Sequence, residues 1–285
     1  MKSNKIGIVT GYGALPELII KDLKKIKIDY CIIFFDRKLK KKFSKENNIF
    51  VEYERISSLL DYLNDKKIKK LMFAGYFERP ELNINKFDKS SLEFLNPVIQ
   101  NLYTGDNNIF NSVINVFEKY GFEIINPTFY SPSLLQGEKV MTLKKPNKKH
   151  FNEVRNALRI FNSTSRIDVG QSLVISKGLC LAIETLPGTD AMLSFVEKYR
   201  KKLSLANHKS GILFKALKNN QETRIDMPVI GPKTVHKIKK AFLDGIVIQE
   251  NSVIIINKEL TIKLANKHKI FIWSLNLEKF QKNYV

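Results

Sequence analysis

The chain has 285 residues, 44% hydrophobic and 27% charged, with 48 lysines and arginines against 28 acids and a formal net charge of +20. That length suits two domains with real cores, at roughly 100 to 200 residues each, and the composition excludes a disordered chain. No apolar run approaches the roughly 18 to 20 residues of a membrane span, and MKSNKIGIVT enters a strand pattern without a signal-peptide layout, so a cytoplasmic protein is expected.

The first half alternates strand and helix patterns. Lys5 to Thr10 reads as a strand, Leu15 to Lys25 as a helix, and Tyr30 to Asp36 and Lys70 to Gly75 as further strands; their continuous apolar runs suit a parallel sheet buried on both faces. Asp106 can cap a helix that carries Ile109, Phe110, Val113, Ile114 and Phe117 on one face, and Gly121 ends it before a strand from Phe122 to Asn126. This alternation predicts a doubly wound α/β domain over residues 1–135. Residues 136–150, with a proline and a lysine cluster, read as a linker, and residues 151–285 as a mixed α+β domain.

In that second half, DVGQSLVISKGLCLAIETLPG predicts two strands joined by a tight turn at Lys177-Gly178. A helix starting at Thr189, a strand from Gly211 to Ala216, and a helix after Pro232 follow. Strand pairs near Ile246 to Ile256, a helix over Lys258 to Lys267 and a strand from Ile270 to Ser274 complete the pattern. Cys31 and Cys180 lie in apolar runs without CxxC spacing and read as reduced core residues.

Several groups of residues could carry chemistry. GYGALP, Gly11 to Pro16, falls between a strand and a helix, where Gly11 and Gly13 would let backbone N–H groups approach a phosphate; Pro16 replaces the third glycine of the dinucleotide fingerprint. Asp36 ends the next strand about where a ribose-binding acid would stand. Asp168, Glu184, Asp190 and Asp226 each adjoin Gly, Pro or a strand end, and hard cations such as Mg²⁺ take one or two such carboxylates together with substrate phosphates. Each acid could equally serve as a turn cap. Thr189 is a natural N-cap, and Lys215, Lys218 and Arg224 could neutralise phosphate oxygens or simply be solvated. His150, His208, His236 and His268 stand in polar, lysine-rich stretches and are not read as catalytic bases. The positive charge is spread along the chain with no arginine-rich helix and no basic stripe interleaved with aromatics, so no nucleic-acid partner is expected.

DVGQSLVI (Asp168 to Ile175), AIETLPGTDAML (Ala182 to Leu193), SGILFKALKNNQETRIDMPVIGPKTV (Ser210 to Val235) and LDGIVIQ (Leu243 to Gln249) resemble the signature blocks of the LpxI family, in order. GYGALP, FERP (Phe77 to Pro80) and TGDN (Thr104 to Asn107) extend the resemblance to the first half. It implies a Rossmann-like N-terminal domain, a C-terminal domain peculiar to the family, a lipid-linked nucleotide sugar as substrate, and Mg²⁺-dependent hydrolysis of UDP-2,3-diacylglucosamine in lipid A synthesis. It also implies a homodimer, and the net positive charge would favour peripheral contact with the inner membrane. It places the catalytic acid at Asp226, with Asp168, Glu184 and Asp190 as further metal candidates. Gly11, Gly13, Gln171, Thr189, Lys215 and Arg224 become the substrate-binding candidates. The chain departs from the family pattern at Ser210, at Glu222-Thr223 and at Asn107. A nicotinamide-dependent oxidoreductase and a non-catalytic nucleic-acid-binding protein are the alternatives from other classes.

Overall fold

The computed structural model describes residues 5–103, 106–202 and 209–284. The chain divides into two compact units: residues up to Pro132 together with Glu222–Asp226, and Ser133–Gln221 together with the chain from Met227 onward.

The first unit contains β1 (Ile6–Thr10), α1 (Leu15–Lys25), β2 (Tyr30–Phe34), β3 (Asn48–Phe50), α2 (Ile56–Asp65), β4 (Lys70–Ala74), α3 (Lys89–Gln100), α4 (Asp106–Lys119) and β5 (Glu123–Ile125). Its sheet is wholly parallel, in the order β3-β2-β1-β4-β5, with Ile8 facing Ile32 on one side and Met72 on the other. Parallel strands covered on both faces have no polar side to show, so Ile8, Ile32, Ile33, Leu71 and Met72 are all buried. The amphipathic α1 buries Leu15, Ile19, Ile20 and Leu23 and holds Pro16 in its first turn, where a missing N–H costs nothing. The helix from Asp106 is present; its cap, like Thr104 and Gly105 of the TGDN run, lies outside the described residues, as does His208.

The second unit contains β6 (Lys139–Val140), α5 (Lys148–Ser165), β7 (Ser172–Ser176), β8 (Leu179–Ile183), α6 (Gly188–Lys202), β9 (Ile212–Lys215), β10 (Val229–Ile230), α7 (Pro232–Lys240), β11 (Gly245–Gln249), β12 (Ile254–Ile255), α8 (Lys258–Lys267), β13 (Phe271–Leu275) and α9 (Leu277–Tyr284). Its main sheet runs β6-β13-β11-β9-β7-β8, with β13, β11 and β9 parallel and the outer strands antiparallel to their neighbours. Side chains alternate across it as strand geometry requires. Phe214, Val247 and Phe271 pack with Val154, Leu158 and Phe161 of α5, whereas Leu213, Ile246, Ile248 and Ile272 pack with Leu193 and Val196 of α6, Val235 and Ile238 of α7, and Ala265 of α8. Truncating a residue such as the fully buried Phe214 to alanine costs about 3 to 5 kcal/mol.

Several sequence expectations change here. Residues 136–150 contribute β6, which pairs with β13, and Asn147, which caps α5 reciprocally with His150. The strands near Ile246 to Ile256 do not pair with each other: β11 joins the main sheet, and β12 pairs with β10. Cys31 is buried, but Cys180 is exposed, because β8 is an edge strand with one outward face. The turn at Lys177-Gly178 forms with positive φ at both residues, +51° and +80°, the twist a two-residue hairpin needs.

Candidate active site

In open α/β sheets, ligands bind beyond the carboxyl ends of the strands. In the first unit the loops after β1 and β4 meet at that edge: the backbones of Tyr12 and Tyr76 exchange hydrogen bonds of 2.8 and 2.9 Å. A Cβ on Gly11 would lie 2.2 Å from the Tyr76 carbonyl oxygen, so this glycine is required by the approach of the two loops. Gly13 has φ +96° and open space where a Cβ would be; its carbonyl accepts from Lys42 Nζ at 2.6 Å.

Asp36 is already engaged at this edge. It accepts from the Lys38 backbone N–H at 2.8 Å and from the Tyr12 hydroxyl. The Tyr12 hydrogen bond holds its carboxyl below the usual aspartate range and pushes the phenol up to about 12. Asp36 thus anchors the glycine loop through Tyr12. A cavity of about 480 Å³ lined by Lys5, Lys24, Lys27 and Tyr30 adjoins the opposite, amino ends of β1 and β2.

The RIDMPVIGP stretch is split between the units. After Gln221 the chain leaves the second unit, spends Glu222–Asp226 in the first, and returns at Met227. Ile225 packs against the first unit's core beside residues such as Phe117 and Ile124. Asn126, just past β5, donates from Nδ2 to the Thr223 carbonyl at 2.7 Å. The Asp226 N–H donates to the Glu222 carbonyl at 2.9 Å, closing a turn. The apolar letters of the stretch therefore serve two cores: Ile225 fills the first, and Ile230 of β10 fills the second. Asp226, half-buried, is the last residue of the segment that belongs to the first unit.

Arg224 is engaged by two carboxylates. Its Nε and one terminal nitrogen donate to the two oxygens of Glu222 at 3.0 and 2.8 Å, and the other terminal nitrogen donates to Glu118 of α4 at 2.7 Å. Hydrogen bonding to Glu222 raises the guanidinium pKa and lowers that of Glu222.

The second unit gathers its polar groups at the carboxyl end of β9. Lys215 ends that strand; Ser172 opens the antiparallel β7 opposite it, and Glu184 follows β8. Ser172 Oγ and Thr189 Oγ1 both donate to Glu184 Oε2, the second at 2.9 Å. Lys215 Nζ donates to Thr189 Oγ1 at 2.6 Å and lies 3.7 Å from the same carboxylate oxygen. The Lys215 side chain is 5% exposed, a depth at which an ammonium persists only with such partners. Thr189 is consequently not an N-cap. Gly188 starts α6, and Thr189 spends its hydroxyl linking Lys215 to Glu184.

The other acids are paired likewise. Asp168, in the left-handed region at φ +59°, contacts Lys218 at 2.6 Å, and Asp190 contacts Lys233 at 2.6 Å. Gln171 offers its carbonyl to the Ala216 N–H at 3.0 Å, which fixes the chain just past Lys215. The structure thus joins Glu184, Thr189 and Lys215 in one cluster, with Asp168 and Asp190 each in its own ion pair. Among the described residues, no group of three or more His, Cys, Asp and Glu side chains is arranged to hold a metal ion.

Sequence reasoning missed Ser172, Glu118 and Asn126. Their partners lie 12, 106 and 97 positions away, and no local spacing encodes them.

Fold and sheet order together define a two-unit α/β protein. Residues 5–134 match the LpxI N-terminal domain and residues 137–273 the LpxI C-terminal domain, so the chain belongs to the LpxI family. It is 28% identical, over 269 residues covering 94% of this chain and 96% of the relative, to the UDP-2,3-diacylglucosamine pyrophosphatase LpxI of Caulobacter vibrioides, a hydrolase.

Proposed function

We propose that this protein hydrolyses UDP-2,3-diacylglucosamine to 2,3-diacylglucosamine 1-phosphate and UMP, a step of lipid A synthesis. The supporting observation is the family match over both units, combined with a loop that presents Asp226 from a turn held by a packed isoleucine and backbone hydrogen bonds. In the reaction, the oxygen of water adds to one phosphorus of the diphosphate. The bridging P–O bond breaks, and its electron pair stays with the departing phosphate.

Asp226 orients the attacking water and is the carboxylate that would hold Mg²⁺. When bound, Mg²⁺ neutralises diphosphate charge and lowers the pKa of coordinated water. Lys215 supplies a fixed positive charge to phosphate oxygens: Thr189 takes one of its three N–H groups, leaving donors for the substrate. Glu184, Asp168 and Asp190 act through the lysines they pair with. No helix among the described residues is long and apolar enough to cross a membrane. The net charge of +20 favours peripheral contact with an anionic leaflet, where a diacylated nucleotide resides.

The test is UMP release from UDP-2,3-diacylglucosamine in detergent, with Mg²⁺ and with EDTA. Metal-dependent UMP release is expected. Well-folded protein that releases none, or that releases UDP, contradicts the reading.

A further inference from the structure

We infer that Glu118, Arg224 and Glu222 form a clasp that positions Asp226, and that Arg224 is a positioning residue and not a substrate ligand. This rests on the reading of Asp226 as the reacting carboxylate. Three nitrogens of the Arg224 guanidinium already donate to carboxylates: two to Glu222 in a forked pair and one to Glu118. A diphosphate would have to compete for a cation whose two anionic partners lie within 3.0 Å.

The second step is geometry. Glu222 is joined to Arg224 through its side chain, accepts the Arg224 backbone N–H at 3.0 Å, and receives the Ile225 and Asp226 N–H groups on its own carbonyl at 3.3 and 2.9 Å. One residue therefore fixes the curvature of the whole run up to Asp226. Glu118 ties that curved run to α4, while Ile225 and Asn126 hold its other side to the core and to the end of β5.

The third step is chemical fit. A forked guanidinium–carboxylate pair constrains direction as well as distance, which a lysine ammonium cannot do. Glu222 is the more enclosed partner, 14% exposed against 41% for Glu118, so the forked pair is the stronger arm and the Glu118 contact the weaker, solvent-screened one. The clasp needs only a carboxylate two residues before Arg224, and Glu222 supplies it.

Misplacing a reacting group by about 1 Å can cost on the order of 100-fold in rate. Arg224→Ala should therefore lower kcat about 100-fold and leave KM within about 3-fold, with millimolar guanidinium restoring part of kcat. Arg224→Lys should recover less than guanidinium does, and Glu118→Gln should lower kcat by about 3-fold to 5-fold, as expected for one screened contact. Glu118→Gln keeps the test decisive if Arg224→Ala does not fold.

The readout independent of turnover is hydrogen exchange at the Ile225 and Asp226 amides, which should be faster in folded Arg224→Ala than in wild type. If KM rises while kcat holds, Arg224 binds substrate and the clasp is wrong. If wild type releases no UMP, the functional reading fails, and exchange alone decides: faster exchange in the variant supports the clasp, and equal exchange overturns it.

Discussion

The two units use charge in opposite ways. In the second unit, acids hold cations: Glu184 with Thr189 fixes Lys215, Asp168 meets Lys218, and Asp190 meets Lys233. In the first unit a cation holds acids, because Arg224 gathers Glu222 and Glu118 and so shapes the turn that ends in Asp226. The difference shows that residue type does not reveal role. Four loop aspartates and glutamates look interchangeable in the sequence, yet three stand in ion pairs with lysines, and the fourth is carried on a segment built around an arginine.

The comparison breaks most visibly at Asp226. Asp226→Asn should reduce kcat about 1000-fold with KM little changed, measured by UMP release, because it removes the group that orients the reacting water. Next in size, Lys215→Met should lower kcat/KM about 30-fold to 100-fold by deleting a charge-assisted contact to phosphate. Circular dichroism should show it folded, since a buried ammonium is replaced by an apolar chain of similar length.

A stability experiment sharpens the contrast by probing an acid at the amino end of the second unit's own sheet. Asp244 immediately precedes β11, at the amino end of the second sheet, where it bonds Lys144 at 2.6 Å and His150 at 3.3 Å. Burial alone would raise its pKa, but the hydrogen bonds from His150 and Lys144 prevail and lower it below the ordinary value of 3.8. A carboxyl with a depressed folded-state pKa contributes stability above that ordinary value and loses it as pH falls through the folded-state pKa. Asp244→Asn should therefore cost about 2 kcal/mol in urea unfolding at pH 7 and progressively less below pH 3.8, without changing kcat. Smallest of all, Lys233→Ala should shift stability by no more than about 0.5 kcal/mol, because its pair with Asp190 is 79% and 43% exposed.

The α/β alternation was legible wherever apolar runs were continuous. Leu15–Lys25 is the helix its period predicts, and β1, β2 and β4 fall within one or two residues of expectation. Two short elements were not legible: β3 and β6 have three and two residues and owe their extended form to pairing partners distant in sequence. α5 was hidden because its N-terminal turn is lysine-rich and its cap, Asn147 with His150, is not an acid-based capping box. At the site, Lys215 and Glu184 could be nominated from strand ends. Their connection through Thr189 could not, since it requires knowing that β9, β7 and β8 are neighbours. The passage of Glu222–Asp226 into the other unit left one trace in the sequence, an apolar run broken by Arg224, Asp226 and Pro228.

The central claim, that Asp226 serves the chemistry while the second unit's acids serve lysines, is tested most directly by the Mg²⁺ dependence of UMP release in four variants: Asp226→Asn, Glu184→Gln, Asp168→Asn and Asp190→Asn. The account predicts that Asp226→Asn stays about 1000-fold below wild type in kcat at every Mg²⁺ concentration, and that the other three keep the wild-type half-saturating Mg²⁺ while Glu184→Gln raises KM for substrate. A roughly 10-fold shift in half-saturating Mg²⁺ for any of those three, with KM for substrate unchanged, would place that acid on the metal and contradict it.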